Sequence, residues 1–306
     1  MAFGARSPSG AQHEVRFEDQ RVVVTEVGAG LRAYGAGARE ILDGYGPDEM
    51  CRSGRVQVLA PWPNRIEDGR YEFRGRSCQL ALTEPTASNA IHGLVRWRNW
   101  ALGERSDASV VMTLTLHPEP GYPFALALSV EYSLSRDGLR VTTTARNVDS
   151  DPCPFGCGAH PYLTVGTAKV DTILLSLPAH TVLRSSDRGI PVGTAPVEEA
   201  WLDFRDSRAI GAETLDHCFT DLERDADGVS RIELAAPDGG ERLTLWMDEG
   251  YGYVMVFTGD PLPDVARRSN AVEPMTCPPN AFRTAESVVV LEPGESVTAK
   301  SGLSPS

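Results

Sequence analysis

The run CPFGCGAHPYL over 153–163 places Cys153, Cys157 and His160 within eight positions, a sulfur and imidazole set of the kind zinc favours. A structural zinc site needs a fourth ligand at matching spacing. Cys51, Cys78, Cys218 and Cys277 are isolated, and no second Cys/His pair echoes the first. The thiols are therefore read as small core hydrophobes, and no metal is expected. His160 precedes Pro161, which holds its backbone extended. A restrained imidazole there is either a catalytic group or a histidine satisfied by a carbonyl at a strand end.

Other candidate residues are scattered along the chain. Glu273 lies between Val272 and Pro274 in a mostly apolar run, where a carboxylate is costly to bury unless it is paired or functional. His92 is followed by Gly93, which permits positive φ or a close backbone approach. Arg65 in APWPNRIEDGRY is either a surface ion pair or a ligand group, and Asp216 in LDHCF either an Asx turn or a ligand group.

Residues so far apart must be brought together by a folded scaffold, and the dominant pattern along the chain has period two. In VVMTLTLH (110–117), Val110, Met112, Leu114 and Leu116 share one face. In FALALSVEYSLS (124–135), Leu126, Leu128, Val130, Tyr132 and Leu134 do the same. A tight turn at Asp137-Gly138 leads into LRVTTTARN (139–147), where Leu139, Val141, Thr143 and Ala145 alternate. Further short strands are expected at 21–27, 71–75, 231–236, 242–247, 253–258 and 287–293, separated by Gly, Pro and Asp clusters. No long amphipathic helix, repeat or linker interrupts them. The expectation is one all-β domain over 1–306, a large antiparallel sandwich with few short helices and a flexible terminus over 1–15. The candidate residues fall in segments read as loops: 60–71, 89–100, 156–163, 215–219 and 272–282.

Composition removes several function classes. A net charge of −13, with no basic run longer than Arg267-Arg268, argues against nucleic acid. No apolar stretch approaches the length of a membrane span, and the first twenty residues lack the apolar segment of a secretory signal. Six cysteines without such a signal suggest reduced thiols in a cytoplasm.

Taken in order, NRIEDGRYEF, IHGLVRW, AHPYL, LDHCF and VEPMTCPPNA resemble the aldose 1-epimerase (mutarotase) family, over about residues 20 to 300. Two flanks depart from the galactose mutarotase pattern. Ala159 and Pro161 stand where it has Asn and Ser, and Leu94 where a second Gly is usual. The resemblance implies a galactose mutarotase-like sandwich and interconversion of the α and β anomers of an aldohexose. It implies Glu273 as base and His160 as acid, with Arg65, His92, Asp216 and Asn64 on the sugar; Trp62 is available to stack on the ring. That chemistry requires no cofactor and no metal, and the implied partner is a small-molecule sugar, for a monomer or homodimer. Two alternatives share the scaffold. One is a hexose-6-phosphate 1-epimerase using Arg70, Arg74, Arg96 or Arg98 at the rim; the other is a non-catalytic sugar-binding or regulatory protein.

Overall fold

The computed structural model describes residues 7–306. Two large antiparallel sheets dominate. The nine-stranded sheet runs, in spatial order, Ala101–Arg105, Ser109–Leu116, Leu126–Ser135, Gly138–Asn147, Ser296–Pro305, Arg242–Met247, Ser230–Ala235, Leu174–Ser176 and Arg208–Ala209. The eight-stranded sheet runs Pro191–Pro196, Ala179–Ser185, Asp216–Leu222, Tyr253–Phe257, Asn270–Met275, Gly158–Ala159 and Val58–Leu59, with Tyr162–Leu163 also paired to Asn270–Met275. Among the described residues, α-helix is confined to Ala281–Thr284.

The period-two pattern explains why the sheets stack. Leu126, Leu128, Val130, Tyr132 and Leu134 are all buried while their neighbours are half-buried or exposed. They share one core with Val182, Phe219, Val254, Val256 and Val272 of the eight-stranded sheet. Leu126–Ser135 pairs Gly138–Asn147 from Leu126↔Asn147 to Ser135↔Gly138. The turn is thus Arg136-Asp137, one residue earlier than expected, because the positive φ (105°) falls on Gly138. A Cβ there would lie 2.2 Å from the Leu303 carbonyl oxygen.

Some elements differ from the sequence reading. The strand expected over 71–75 is Arg70–Phe73, since Arg74 and Gly75 both take positive φ and turn the chain into Arg76–Gln79. Gln12–Phe17 begins inside the stretch expected to be flexible, yet pairs with Gln20–Thr25 along its whole length and buries Val15; residues 1–6 lie outside the described residues. Asp216 and Glu273 lie on strands, not in loops. Asn270–Met275 is buried on both faces, so its sequence shows no alternation and hides its period.

Candidate active site

Strand register assembles the site on the outer face of the eight-stranded sheet. Val272 and its neighbour Val256 point into the core, so Glu273 and its partner Met255 point the other way. Cys218 lies opposite Met255, and Asp216, two residues before it, lies opposite Phe257 on that same outer face. Gly158–Ala159 pairs along the far side of Asn270–Met275 and delivers His160 beside Glu273. Gly158 is required there, because a Cβ would sit 2.8 Å from the Pro274 carbonyl oxygen. Above the face, Arg65–Glu67 pairs with Asn89–Ile91 and brings in Arg65 and His92.

These residues line a cleft of about 390 Å³ together with Ser53, Gly54, Asn64, Glu84, Arg96, Trp97 and Tyr162. At its base His160 Nε2 lies 3.2 Å from Glu273 Oε1, with the two residues 5 % and 2 % exposed. Burial, and then the negative charge of Asp216, push the Glu273 carboxyl well above its usual range, with Arg65 pulling back. Burial also pushes the His160 imidazole down to about 3, and the positive charges of Arg55, Arg96 and Arg65 add to it. Both shifts favour the neutral forms, an un-ionised carboxyl beside a neutral imidazole. Glu273 Oε2 and His160 Nδ1 are buried with no partner in the protein.

The supports are rigid. The His160 ring stacks on Tyr162 at 5.0 Å and 9°, and the Arg55 guanidinium, ion-paired to Asp43 at 3.2 Å, covers Tyr162 at 4.1 Å. His92 meets His160 edge-on at 5.3 Å. Its backbone is left-handed (φ 62°) and its N–H donates to the Asn64 carbonyl at 2.9 Å. The fold holds that strain through Gly93, whose Cβ would sit 2.0 Å from the Ala60 carbonyl oxygen. Burial and the neighbouring His160 push the His92 imidazole well down, so it is a neutral hydrogen-bonding group. Arg65 donates from Nε and Nη2 to the two oxygens of Glu84, each at 2.9 Å, and Asn89 donates to Glu84 at 2.9 Å. Burial opposes the Arg65 charge, yet Glu84, Asp216 and Glu273 together hold its pKa above the usual value.

Of the residues expected from sequence, Glu273, His160, Arg65, His92, Asp216 and Asn64 converge on this cleft. Trp62 does not. It is 2 % exposed and packs against Phe282 at 5.7 Å, because its large apolar surface is taken up by the core. Trp97, 46 % exposed, lines the cleft with Tyr162 and Phe257. Glu84 was missed; nothing local marks it as the partner of Arg65, nineteen residues away. Cys153 and Cys157 are buried in the core with thiols pushed up to about 12 by burial, and His160 faces the Glu273 carboxyl instead. Among the described residues no three His, Cys, Asp or Glu side chains are grouped to hold a metal ion.

The two-sheet antiparallel sandwich is the fold of the galactose mutarotase-like proteins. The GalM/aldose epimerase homologue from C. elegans superposes with a TM-score of 0.87 at 17% identity, covering 97% of this chain and 98% of that one. The galactose 1-epimerase from Lactobacillus acidophilus NCFM gives 0.81 at 19% identity, covering 99% and 97%. The chain belongs to the aldose 1-epimerase family, whose model matches residues 13–304. Among curated proteins, the uncharacterized protein YihR of Escherichia coli K12 is 36% identical over 278 residues, covering 90% of this chain and 87% of that protein. Membership implies a small-molecule carbohydrate as substrate. Among the described residues no helix is long and apolar enough to cross a membrane.

Proposed function

We propose that the protein is a mutarotase that interconverts the α and β anomers of an aldohexose by acid/base ring opening and reclosure. The observation that carries this reading is the buried Glu273–His160 pair at the base of the cleft. Opening a hemiacetal ring requires one group to remove the O1 proton and another to protonate the ring oxygen. Passing the shared proton from Glu273 to His160 turns carboxyl plus imidazole into carboxylate plus imidazolium, with no change in total charge. Glu273 then takes the O1 proton and His160 protonates the ring oxygen. A carboxylate with a raised pKa is a stronger base, and an imidazolium with a lowered pKa a stronger acid, so burial sharpens both roles. Rotation about C1–C2 and reversal of the two transfers closes the ring on its other face.

His92, held neutral, hydrogen-bonds near the ring oxygen. Arg65, fixed by Glu84, and Asp216 orient the hydroxyl groups, with Asn64 beside them. In this reading the chain is one domain acting in the cytoplasm, in keeping with its six free cysteines. The test is to follow the relaxation of α-glucose and α-galactose by polarimetry or NMR. Acceleration over the buffer rate is expected; none with any free or phosphorylated aldose would leave the non-catalytic sugar-binding reading in its place.

A further inference from the structure

The His160 ring belongs to a stack that leads out of the cleft. It lies on Tyr162 at 5.0 Å and 9°, and the Arg55 guanidinium lies over that same phenol ring at 4.1 Å. Arg55 is outside the cleft lining and faces a neighbouring cavity of about 230 Å³. The segment that carries it is fastened to His160 directly. The Val56 N–H donates to the His160 carbonyl at 2.8 Å, and a Cβ on Gly54 would lie 2.9 Å from the His160 ring. Asp43 does not cancel the Arg55 charge. Its carboxylate meets Arg55 Nη2 at 3.2 Å, but also accepts from Arg268 Nε and Nη2 at 3.0 and 2.6 Å and from the Ser269 hydroxyl at 2.7 Å. One carboxylate thus serves two guanidiniums. The Arg268 side chain is 49 % exposed and screened by solvent, whereas Arg55 is 6 % exposed.

A buried cation on an aromatic ring that also touches an imidazole opposes a second positive charge on that imidazole. Burial is the first cause of the low His160 pKa, and among the guanidiniums that lower it further Arg55 comes ahead of Arg96 and Arg65. The other groups facing the ring are Glu273 at 3.2 Å, from Asn270–Met275, and His92, edge-on at 5.3 Å. Arg65, Arg96 and Asp216 line the cleft beside them.

We propose that Arg55 is a positioning residue of the reaction: its buried charge, acting through the Tyr162 ring, keeps the His160 imidazolium a strong acid toward the ring oxygen. The inference rests on the mutarotase reading and adds to it a residue outside the cleft. Without that charge His160 takes a proton from solvent at a higher pH and releases it to the sugar more slowly.

The experiment follows the His160 resonances of isotope-labelled protein by NMR against pH, for the wild type, Arg55→Gln and Arg55→Lys. Anomer exchange of the best sugar substrate is measured over the same range. Arg55→Gln is expected to begin protonating His160 about one pH unit above the wild type, the low end of what a nearby charge does. The acid limb of its kcat/KM profile moves up with it. Its kcat at neutral pH falls by up to about tenfold, the Brønsted limit for that shift, while KM stays near wild type. Arg55→Lys keeps the charge and the wild-type positions. Arg55→Met, apolar and of similar length, gives the same shift and replaces Arg55→Gln if that variant does not fold. A loss of kcat at every pH, with the His160 titration and the acid limb unmoved, makes Arg55 a structural support and overturns the inference, leaving the mutarotase reading intact. A shift in Arg55→Lys as large as in Arg55→Gln overturns it too. If the wild type exchanges no sugar, the mutarotase reading fails and the NMR titration decides. A shift in Arg55→Gln that Arg55→Lys reverses upholds the coupling of Arg55 to His160, and unmoved resonances overturn it.

Discussion

The inner layer of the nine-stranded sheet and the outer face of the eight-stranded sheet obey different rules. Along Leu126–Ser135 every second residue is buried and apolar, and the one polar group that goes in with them, the Tyr132 hydroxyl, donates to the Ala29 carbonyl at 2.7 Å. On the cleft face, Glu273 Oε2, His160 Nδ1 and His92 Nδ1 are buried without protein partners, and Ser53, Asn64 and His92 sit at φ of 57°, 52° and 62°. The first region is locally consistent at every level. The second stores strain and unmet hydrogen bonds where a ligand would meet them, and it depends on the first for its rigidity.

Substitutions separate the two regions. The largest effect is expected for His160→Asn, which should lower kcat by about 10²–10⁴ while circular dichroism and the melting temperature stay near wild type. A loss of that size accompanied by unfolding would place His160 with the framework instead. Leu126→Ala empties a fully buried position and should cost about 2–5 kcal/mol of stability, with kcat per folded molecule unchanged at a permissive temperature. Altered kcat there would mean the sheet does more than support. Gly93→Ala joins the two regions: its Cβ meets the Ala60 backbone, so it should cost about 1–3 kcal/mol and also lower activity by displacing His92.

A graded effect is expected in the pH dependence of stability. Glu273 keeps its proton more tightly when folded than its ordinary value of 4.5, so its ionisation opposes folding and wild-type stability falls as pH rises above that value. His160 has the opposite sign. Its folded pKa is lowered from 6.5 to about 3, so stability falls as pH drops between those two values, by about 1.4 kcal/mol per pH unit at most. Urea denaturation from pH 4 to 8 should therefore show Glu273→Gln gaining on the wild type toward high pH and His160→Asn gaining toward low pH. Parallel curves for all three proteins would contradict the burial of the pair.

How much of this was legible beforehand follows the same division. The hairpin of Leu126–Ser135 and Gly138–Asn147 declared itself through strict alternation, because one face is buried and the other is not. Asn270–Met275 did not, because burial on both faces removes the alternation, and Glu273 was assigned to a loop. The site residues were found by kind, as titratable groups beside Gly, Pro or aromatics, and by their order in the family pattern. Kind alone misled at Trp62, since an indole in a Pro-flanked run is equally suited to the core, and it overlooked Trp97. The pairing of Glu84 with Arg65 depends on which loops meet in space, and no local residue pattern encodes that.

The central claim is that Glu273 and His160 act as one proton-transferring pair. Its most direct test is the α/β exchange rate of the best sugar substrate, measured by NMR at neutral pH for the wild type and for folded Glu273→Gln. Glutamine keeps the shape beside His160 but cannot take a proton, so the account predicts that exchange falls to within reach of the uncatalysed rate. Exchange near the wild-type rate in Glu273→Gln would contradict it.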